Sequence, residues 1–272
     1  MKQKGIGFIG CGAIGSAFIN GMIMGGKLTA SEVWAYDYDE EVMRSLRDEL
    51  NIQLAGNYQE LLENSSTVFL AVKHGDYASL LKDIAPFVKD QLVVSAVAGI
   101  SIAHVKSILG RNARVVRLMP NTPCLIGEGA IAISSDEDND IDEALLYWLK
   151  DLLSCLGKTV IVNEDHINAV TGLSGSGPAY VYLFMEALVE GGVKAGLDRD
   201  IAEVLALQTI KGSAEMMERK GLSPSELKRV VTSPGGTTSY GLHVLETRAM
   251  RAAISDAVEE ACNRAREIGE KE

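Results

Sequence analysis

Three glycines near the N-terminus constrain the fold more than any other feature of this chain. Gly10, Gly12 and Gly15 form a G-x-G-x-x-G motif between the apolar segment Gly5–Ile9 and a helical pattern that begins at Ser16. Between a strand and a helix, the first glycine allows a tight turn and the second lets backbone approach a pyrophosphate. The third allows the helix to pack closely on the strand. The motif therefore predicts a Rossmann fold that binds a dinucleotide at the start of its first helix.

An acidic residue follows the second predicted strand, where such folds recognise a ribose. The strand Val33–Tyr36 is followed by Asp37, about 20 residues beyond the glycines. Its carboxylate can accept hydrogen bonds from the ribose hydroxyls and would repel a 2′-phosphate, so Asp37 favours NADH over NADPH. The alternative is that Asp37 only ends a strand and Asp39 caps the next helix.

The order of the predicted elements divides the chain into two domains. Strands and helices alternate up to Val162, which is typical of a doubly wound, mostly parallel sheet. After Asp165 helical periodicity dominates and no convincing strand follows. We therefore predict an α/β protein with a Rossmann domain over residues 1–164 and an all-helical domain over residues 165–272. The acidic stretch Ser135–Asp142 is predicted to be a solvated loop.

Three further segments stand beyond the carboxyl ends of predicted strands, where a Rossmann sheet presents its ligands. Each could be an ordinary turn, but three at consecutive strand ends predict a cleft. The segments are Ala71-Val72-Lys73-His74, Ala96-Val97-Ala98-Gly99 and Met119-Pro120-Asn121-Thr122-Pro123.

A second glycine-rich segment, Ser233–Thr238, lies near the C-terminus. Gly235 and Gly236 follow Pro234 and precede two threonines that open a helical pattern. Free N–H groups and hydroxyls at a helix N-terminus bind anions, especially carboxylate or phosphate. The segment therefore predicts a ligand site, and the alternative is an ordinary loop with a helix cap.

Composition and charge exclude several classes of partner. A net charge of −11 and a pI of about 4.9 argue against binding to nucleic acid or an anionic membrane, which require clustered Lys and Arg. No apolar run approaches a membrane span, and the N-terminus has no signal-peptide pattern. His104, His166 and His243 have no partner at metal-ligand spacing, so we predict no metal site. The scattered cysteines indicate a reducing, cytoplasmic location, and Cys11 is expected to pack rather than react.

Five motifs taken together resemble the pyrroline-5-carboxylate reductase family. The resemblance covers essentially the whole chain and implies that 1-pyrroline-5-carboxylate is reduced to L-proline by hydride from NADH or NADPH, the last step of proline biosynthesis. The motifs are Gly10-Cys11-Gly12, Ala71-Val72-Lys73, Met119-Pro120-Asn121-Thr122-Pro123, Gly172-Leu173-Ser174-Gly175-Ser176-Gly177-Pro178-Ala179-Tyr180 and Thr232-Ser233-Pro234-Gly235-Gly236-Thr237-Thr238.

The resemblance also implies roles for individual residues. Thr238 is the implied catalytic residue, because its hydroxyl would hydrogen-bond the ring nitrogen while hydride reaches the neighbouring carbon. Glu164 is implied to approach the substrate, although it could equally cap a helix. The implied substrate-binding residues are Glu164, Ser233, Gly235, Gly236, Thr237 and Thr238. The implied cofactor-binding residues are Gly10, Gly12, Ala13, Ile14, Gly15, Asp37, Asn57, Ala71, Val72, Lys73, Ala98, Gly99 and Asn121.

The helical domain is expected to be a dimer interface. The resemblance implies that this domain interleaves with the helical domain of a second copy across a two-fold axis. In the family, dimers often assemble further into decamers. The residues agree, because small side chains recur where helices would approach closely. They are Ala187, Gly191, Gly192, Ala195 and Gly196.

Two departures from the family and two rival functions bear on this interpretation. His74 stands where the family usually has Pro, and Asp37 stands where NADP-using relatives tend to have small hydroxyl or basic residues. His74 could titrate near neutral pH or simply face solvent in a loop. One rival is a hydroxyacid dehydrogenase, but such enzymes carry a Lys where this chain has Val181. The other is a non-catalytic nucleotide-sensing module, which would not need the carboxylate cradle at Ser233–Thr238.

Overall fold

The computed structural model describes residues 4–136 and 141–270, and in this part of the chain eight strands form one sheet. The predicted loop Ser135–Asp142 includes residues 137–140, which lie outside the described residues. The strand order is β3-β2-β1-β4-β5-β6-β7-β8. The strands are β1 (Gly5–Ile9), β2 (Val33–Tyr36), β3 (Gln53–Leu54), β4 (Ser65–Leu70), β5 (Leu92–Ser95), β6 (Arg114–Met119), β7 (Gly129–Ser135) and β8 (Gly157–Ile161).

The helices lie between the strands of the first half of the chain and make up nearly all of the second half. They are α1 (Ala13–Met24), α2 (Glu40–Leu50), α3 (Tyr58–Asn64), α4 (His74–Ile84), α5 (Ile102–Leu109), α6 (Glu143–Leu153), α7 (Ile167–Val170), α8 (Gly177–Lys194), α9 (Arg199–Lys220), α10 (Pro224–Val230), α11 (Thr237–Thr247) and α12 (Met250–Gly269). None of the helices in the described residues is both long and apolar enough to span a membrane.

The sheet is mostly parallel, as predicted, with one antiparallel pair. β6 and β7 run in opposite directions, with Leu118 opposite Ile133. Residues 120–128 join them, and this link is shorter than the dozen or more residues that a parallel crossover needs. The link contains a 3₁₀ turn, Thr122–Ile126. A short connection of this kind can only return the chain antiparallel to the strand it has left.

Both faces of the sheet are covered. Successive side chains of a strand point to opposite faces, and neighbouring residues of β1 and β4 belong to different buried clusters. Phe8 belongs to one buried cluster and its neighbour Ile9 to the other. In the same way, Phe69 and Leu70 of β4 face opposite clusters. Phe8 and Phe69 stack with their ring centroids 5.0 Å apart. Helices on both faces of a parallel sheet are the doubly wound arrangement that the glycine motif predicts.

Contacts divide the chain into two compact units, and the division falls later than residues 164 and 165. The first unit ends at Ser176 and resumes at Glu260, and the second runs from Gly177 to Glu259. Ile167 explains the difference, because it is fully buried in a cluster with Met119 and Ala132 of the sheet. The segment after the last strand therefore packs with the Rossmann unit before the helical unit begins.

The second unit has little core of its own. Val189, Ala202 and Ala206 are its buried cluster, formed where α8 meets α9. A Cβ added at Gly192 would lie 3.1 Å from the Cβ of Ala202, so this glycine allows the two helices to approach closely. Large apolar side chains remain exposed along the same helices, and Leu183 is 66% and Val204 67% exposed. The second unit therefore presents an extensive apolar surface in a single chain.

Candidate active site

The glycine turn after β1 is shaped by close contacts on one side and open space on the other. Gly10 has a φ of +86°, and a Cβ there would come within 2.7 Å of the carbonyl carbon of Ala71. A Cβ at Gly15 would overlap the carbonyl oxygen of Gly10. Gly12 caps α1, and beyond its two chain neighbours no described residue comes within 4 Å of a Cβ placed on it. The turn thus leaves room for a pyrophosphate at the N-terminus of α1.

Asp37 ties the second strand to this glycine turn. Its Oδ2 accepts a hydrogen bond of 2.6 Å from the backbone N–H of Cys11, and its Oδ1 accepts one of 2.9 Å from that of Asp39. The carboxylate is therefore held in one orientation. Asp39 caps α2, as the alternative interpretation of the sequence had it, through hydrogen bonds from Glu41 and Val42. The two aspartates have separate tasks, so the capping role of Asp39 leaves Asp37 available for a ribose.

Cys11 lies beneath that contact and is 1% exposed. Burial, together with the negative charge of Asp37, raises the pKa of its thiol to about 12. The sulfur approaches the carbonyl oxygen of Tyr36 at 3.8 Å. Cys11 therefore packs in the turn, as expected from the sequence.

A groove of about 450 Å³ lies beside Asp37 and is lined by two arginine side chains that are not part of the glycine motif. Arg44 and Arg47 line it from α2 together with Gly56. Arg47 contacts Asp48 at 3.1 Å, whereas Arg44 has no ion-pair partner among the described residues. The groove therefore has a carboxylate that can accept hydrogen bonds from ribose hydroxyls and guanidinium groups that can bind a phosphate.

Asn57 was assigned to the cofactor and has a structural task here. Its Oδ1 accepts a hydrogen bond of 2.9 Å from the backbone N–H of Glu60 and so caps α3. Glu60 in turn accepts a bond from the backbone N–H of Gly56, at the rim of the groove. Asn57 therefore shapes the rim through its cap.

The carboxyl ends of β4 and β5 lie side by side and continue the sheet's hydrogen bonding. The N–H of Ala71 donates to Ile9, and that of Ala96 donates to Leu70. Strand β4 ends at Leu70, and α4 begins at His74. Beyond the strands, Ala71 and Val72 are half-buried, and Lys73 and Ala98 are exposed. The chain passes to β2 on one side of β1 and to β4 on the other, which is the switch point where Rossmann folds bind ligands.

Asn121 uses both ends of its amide to hold the chain in place. Its Nδ2 donates to the carbonyl oxygen of Ser174 at 3.0 Å, and its Oδ1 accepts from the N–H of Ala130 at 2.9 Å. These bonds link the end of β6 to the start of β7 and to the π-helical turn Thr171–Gly175. The predicted cofactor residue thus fixes the glycine-rich segment that precedes α8.

Glu164 caps a helix, one of the two roles left open by the sequence, and the helix is α5. Its Oε1 accepts hydrogen bonds from the backbone N–H of Ile102 at 2.8 Å and from Nη1 of Arg117 at 3.2 Å. Arg117 is 4% exposed, and burial lowers its pKa while Glu164 opposes that shift. Within the described residues, Nε and Nη2 of Arg117 have no hydrogen-bond partner. Sequence reasoning missed this arginine, whose only signal is a charge among the apolar residues of β6.

The C-terminal loop presents unpaired donors at the start of α11. Gly235 has a φ of +69°, and Gly236 is the N-cap without a side-chain cap bond. The N–H of Gly236 donates to Ser233 at 3.1 Å, which closes the turn. Elsewhere in the described chain there is no hydrogen-bond partner for the N–H groups or the hydroxyls of Thr237 and Thr238. These donors and the helix dipole suit a carboxylate.

The predicted site residues thus fall into two sets. The glycine turn, Asp37, the strand ends after β4 and β5, and Glu164 belong to the first unit, and Ser233–Thr238 belongs to the second. No group of three or more metal-ligating side chains occurs among residues 4–136 and 141–270.

Comparisons with known proteins agree along the whole chain. A family model described as pyrroline-5-carboxylate reductase dimerisation matches residues 164–268, and one described as NADP oxidoreductase, coenzyme F420-dependent, matches residues 5–99. A pyrroline-5-carboxylate reductase of Methanosarcina acetivorans is 38% identical over 100% of both chains. Pyrroline-5-carboxylate reductase 2 of Bacillus subtilis is 36% identical over 99% of this chain and 96% of its own.

A solved structure extends the likeness to three dimensions. The pyrroline carboxylate reductase of Plasmodium falciparum, with NADP bound, superimposes with a TM-score of 0.87 at 32% identity and covers 99% of both chains. Sequence relatives that match from end to end and a structural relative of the same family confirm the resemblance drawn from the motifs. The chain belongs to the pyrroline-5-carboxylate reductase family.

Proposed function

We propose that this protein reduces 1-pyrroline-5-carboxylate to L-proline with hydride from a reduced nicotinamide dinucleotide. The observation that carries the proposal is the cradle at Ser233–Thr238, where the N–H groups and hydroxyls of Thr237 and Thr238 have no hydrogen-bond partner among the described residues. The substrate has one carboxylate and one C=N bond. A cradle for the carboxylate beside a hydroxyl for the ring nitrogen matches both groups. The family to which the chain belongs supports the same assignment.

The cradle contributes by positioning rather than by acid catalysis. The N–H groups of Thr237 and Thr238 hold the carboxylate at the positive end of the α11 dipole. Such fixation can contribute several kcal/mol, with about 7–11 kcal/mol as the ideal limit. The Thr238 hydroxyl hydrogen-bonds the ring nitrogen and orients the C=N bond. A hydroxyl suffices because the imine can be protonated in advance, and the iminium then needs orientation more than a proton donor.

The residues of the first unit fit a nicotinamide dinucleotide. When bound, this cofactor supplies the hydride for the C=N carbon. The open side of Gly12 accommodates the pyrophosphate, and the groove at Asp37 takes the adenosine end. Small residues at Ala71 and Ala98 leave space for the flat nicotinamide ring beyond β4 and β5.

We propose that NADH is preferred over NADPH by a modest margin. Two backbone hydrogen bonds hold the Asp37 carboxylate, so it cannot turn away from a 2′-phosphate. Arg44 lies in the same groove and offsets part of this repulsion. Repulsion between two like charges at an exposed site costs on the order of 1–4 kcal/mol. Because Arg44 attracts the phosphate, we expect the net cost to lie in the lower part of that range. Values of kcat/KM measured in parallel with NADH and NADPH test the preference.

We propose that the helical unit forms a homodimer and that dimers assemble further into a decamer. The support is the apolar surface of α8 and α9, on which Leu183, Val204 and Leu207 are at least half exposed. The matching family model is itself described as a dimerisation domain. Assembly would remove this surface from water. A cytoplasmic location likewise stays a prediction.

Two rival functions are distinguished by one assay. A hydroxyacid dehydrogenase would need a strong proton donor for the alkoxide formed from a ketone, and Val181 stands at that position. A nucleotide sensor would bind the cofactor without consuming it. We expect the purified protein to oxidise NADH only when 1-pyrroline-5-carboxylate is present. Oxidation with a 2-keto acid, or none with the imine, would contradict the proposed function.

A further inference from the structure

The turn that follows β5 is contacted from two sides, by the first residue of α4 and by the last turn of α12. This β5 turn comprises Ala96–Gly99. Val97, which is 4% exposed, anchors it in the core, whereas Ala98 is exposed at the ligand edge of the sheet. Hydrophobic anchoring fixes where the turn begins and leaves the position of Ala98 to other contacts.

His74 provides the first of these contacts. Its Nδ1 lies 3.2 Å from the carbonyl oxygen of Ala98 and, facing an acceptor, must donate. His74 is the first residue of α4, and Lys73, the N-cap of that helix, lies three residues beyond β4. The bond therefore joins the segments that follow the two neighbouring strands β4 and β5.

The last turn of α12 provides the second contact. A Cβ added at Gly99 would lie 2.6 Å from Cγ2 of Ile268, and Gly99 has a φ of +82°. In the reverse direction, a Cβ added at Gly269 would lie 2.7 Å from the carbonyl oxygen of Gly99. Gly99 is buried in consequence, whereas its neighbour Ala98, which is also predicted to bind the cofactor, is exposed. Ile268, Gly269 and Gly99 belong to the same compact unit.

We propose that His74 and Ile268 are positioning residues for the nicotinamide end of the cofactor, acting through the β5 turn. The proposal rests on the proposed function, which puts the nicotinamide beyond β4 and β5. Neither side chain needs to touch the cofactor. His74 fixes the carbonyl of Ala98 laterally, and Ile268 closes the turn from the side of the helix. A turn held in its binding shape lowers the cost of ordering it when the cofactor arrives.

The His74 contact is tested by two substitutions of equal size. His74→Asn keeps an N–H donor near the position of Nδ1, whereas His74→Leu has the same shape without a donor. We expect the Kd of NADH, titrated by its fluorescence without substrate, to rise roughly 2- to 5-fold in His74→Leu, as for a modest hydrogen bond. In His74→Asn it should stay near the wild-type value. Equal Kd values in the two variants would overturn the role of His74.

The α12 contact is tested by Ile268→Ala, with Glu270→Ala as a control at the exposed residue directly after α12. We expect the first to weaken NADH binding about 2- to 5-fold and the second to leave it unchanged. A purely structural role would lower the Tm and leave Kd unaltered, and that result would refute the role of Ile268.

Steady-state kinetics separate this inference from the proposed function. Ground-state positioning of the cofactor predicts that KM for NADH rises while kcat stays constant. A fall in kcat at constant KM would contradict it. If the wild-type protein binds NADH but does not reduce 1-pyrroline-5-carboxylate, the proposed function fails while the Kd comparisons still decide the positioning of the β5 turn.

Discussion

Replacing Thr238 by Ala should separate catalysis from stability more cleanly than any other substitution in this chain. The hydroxyl of Thr238 has no hydrogen-bond partner among the described residues, so the folded chain loses no bond when it is removed. Position 238 lies in the first turn of α11, where Ala is a better helix former than Thr. We therefore expect a Tm equal to or slightly above that of the wild type.

The same substitution should slow the reaction strongly. Loss of one hydrogen bond to a polar or charged group costs on the order of 1–3 kcal/mol, which is about tenfold to a hundredfold in rate. The assay is steady-state oxidation of NADH with 1-pyrroline-5-carboxylate, at saturating cofactor. If the hydroxyl acts mainly in the transition state, kcat and kcat/KM should fall together.

Thr238→Ser is the matched control, because it keeps the hydroxyl and removes only the methyl group. We expect it to retain most of the wild-type kcat. Cofactor binding should be the same in both variants, because the glycine turn after β1 is untouched. Wild-type turnover in Thr238→Ala, or an equal loss in Thr238→Ser, would refute the role assigned to the hydroxyl.

Three further predictions address the buried ion pair, the cofactor and the assembly. Glu164→Ala should lower the free energy of unfolding by about 3 kcal/mol, because it leaves Arg117 buried without its carboxylate. Glu164→Gln should lower it by less. Urea unfolding monitored by circular dichroism measures both variants, and equal free energies of unfolding would contradict the argument. Asp37→Ser should shift the ratio of kcat/KM values toward NADPH, and a wild type that already favours NADPH would show that Asp37 does not set the choice. Light scattering should find no active monomer at micromolar concentration, and Val204→Asp, which puts a charge on the apolar surface of α9, should shift the protein toward smaller, less active species.

Elements with a strong local pattern could be predicted from the sequence almost to the residue. β1 and β2 have the bounds of the segments from which they are predicted, Gly5–Ile9 and Val33–Tyr36. β3 was missed because two residues carry no periodicity. The first turn of α4 is polar and its buried face begins only at Tyr77, so no apolar pattern indicates that this helix begins at His74.

The candidate site was predictable where chemistry follows from short motifs and unpredictable where it depends on distant partners. The glycine turn and the cradle are contiguous in sequence, so their chemistry could be derived in advance. The bond between Arg117 and Glu164 joins residues 47 positions apart, and no local pattern announces it. The two hydrogen bonds of Asn121 also depend on residues that no local pattern indicates. They give this residue, predicted to bind the cofactor, a structural role as well.

The burial of Cys11 has a consequence for the behaviour of the enzyme under oxidative stress. Thiolates, rather than thiols, react with peroxides and alkylating reagents. With a pKa of about 12, the Cys11 thiol stays protonated at neutral pH. We therefore expect the sulfur of Cys11 in the glycine turn after β1 to be unreactive. Oxidants that inactivate enzymes through exposed, acidic cysteines should leave this turn, and the cofactor that we assign to it, undisturbed.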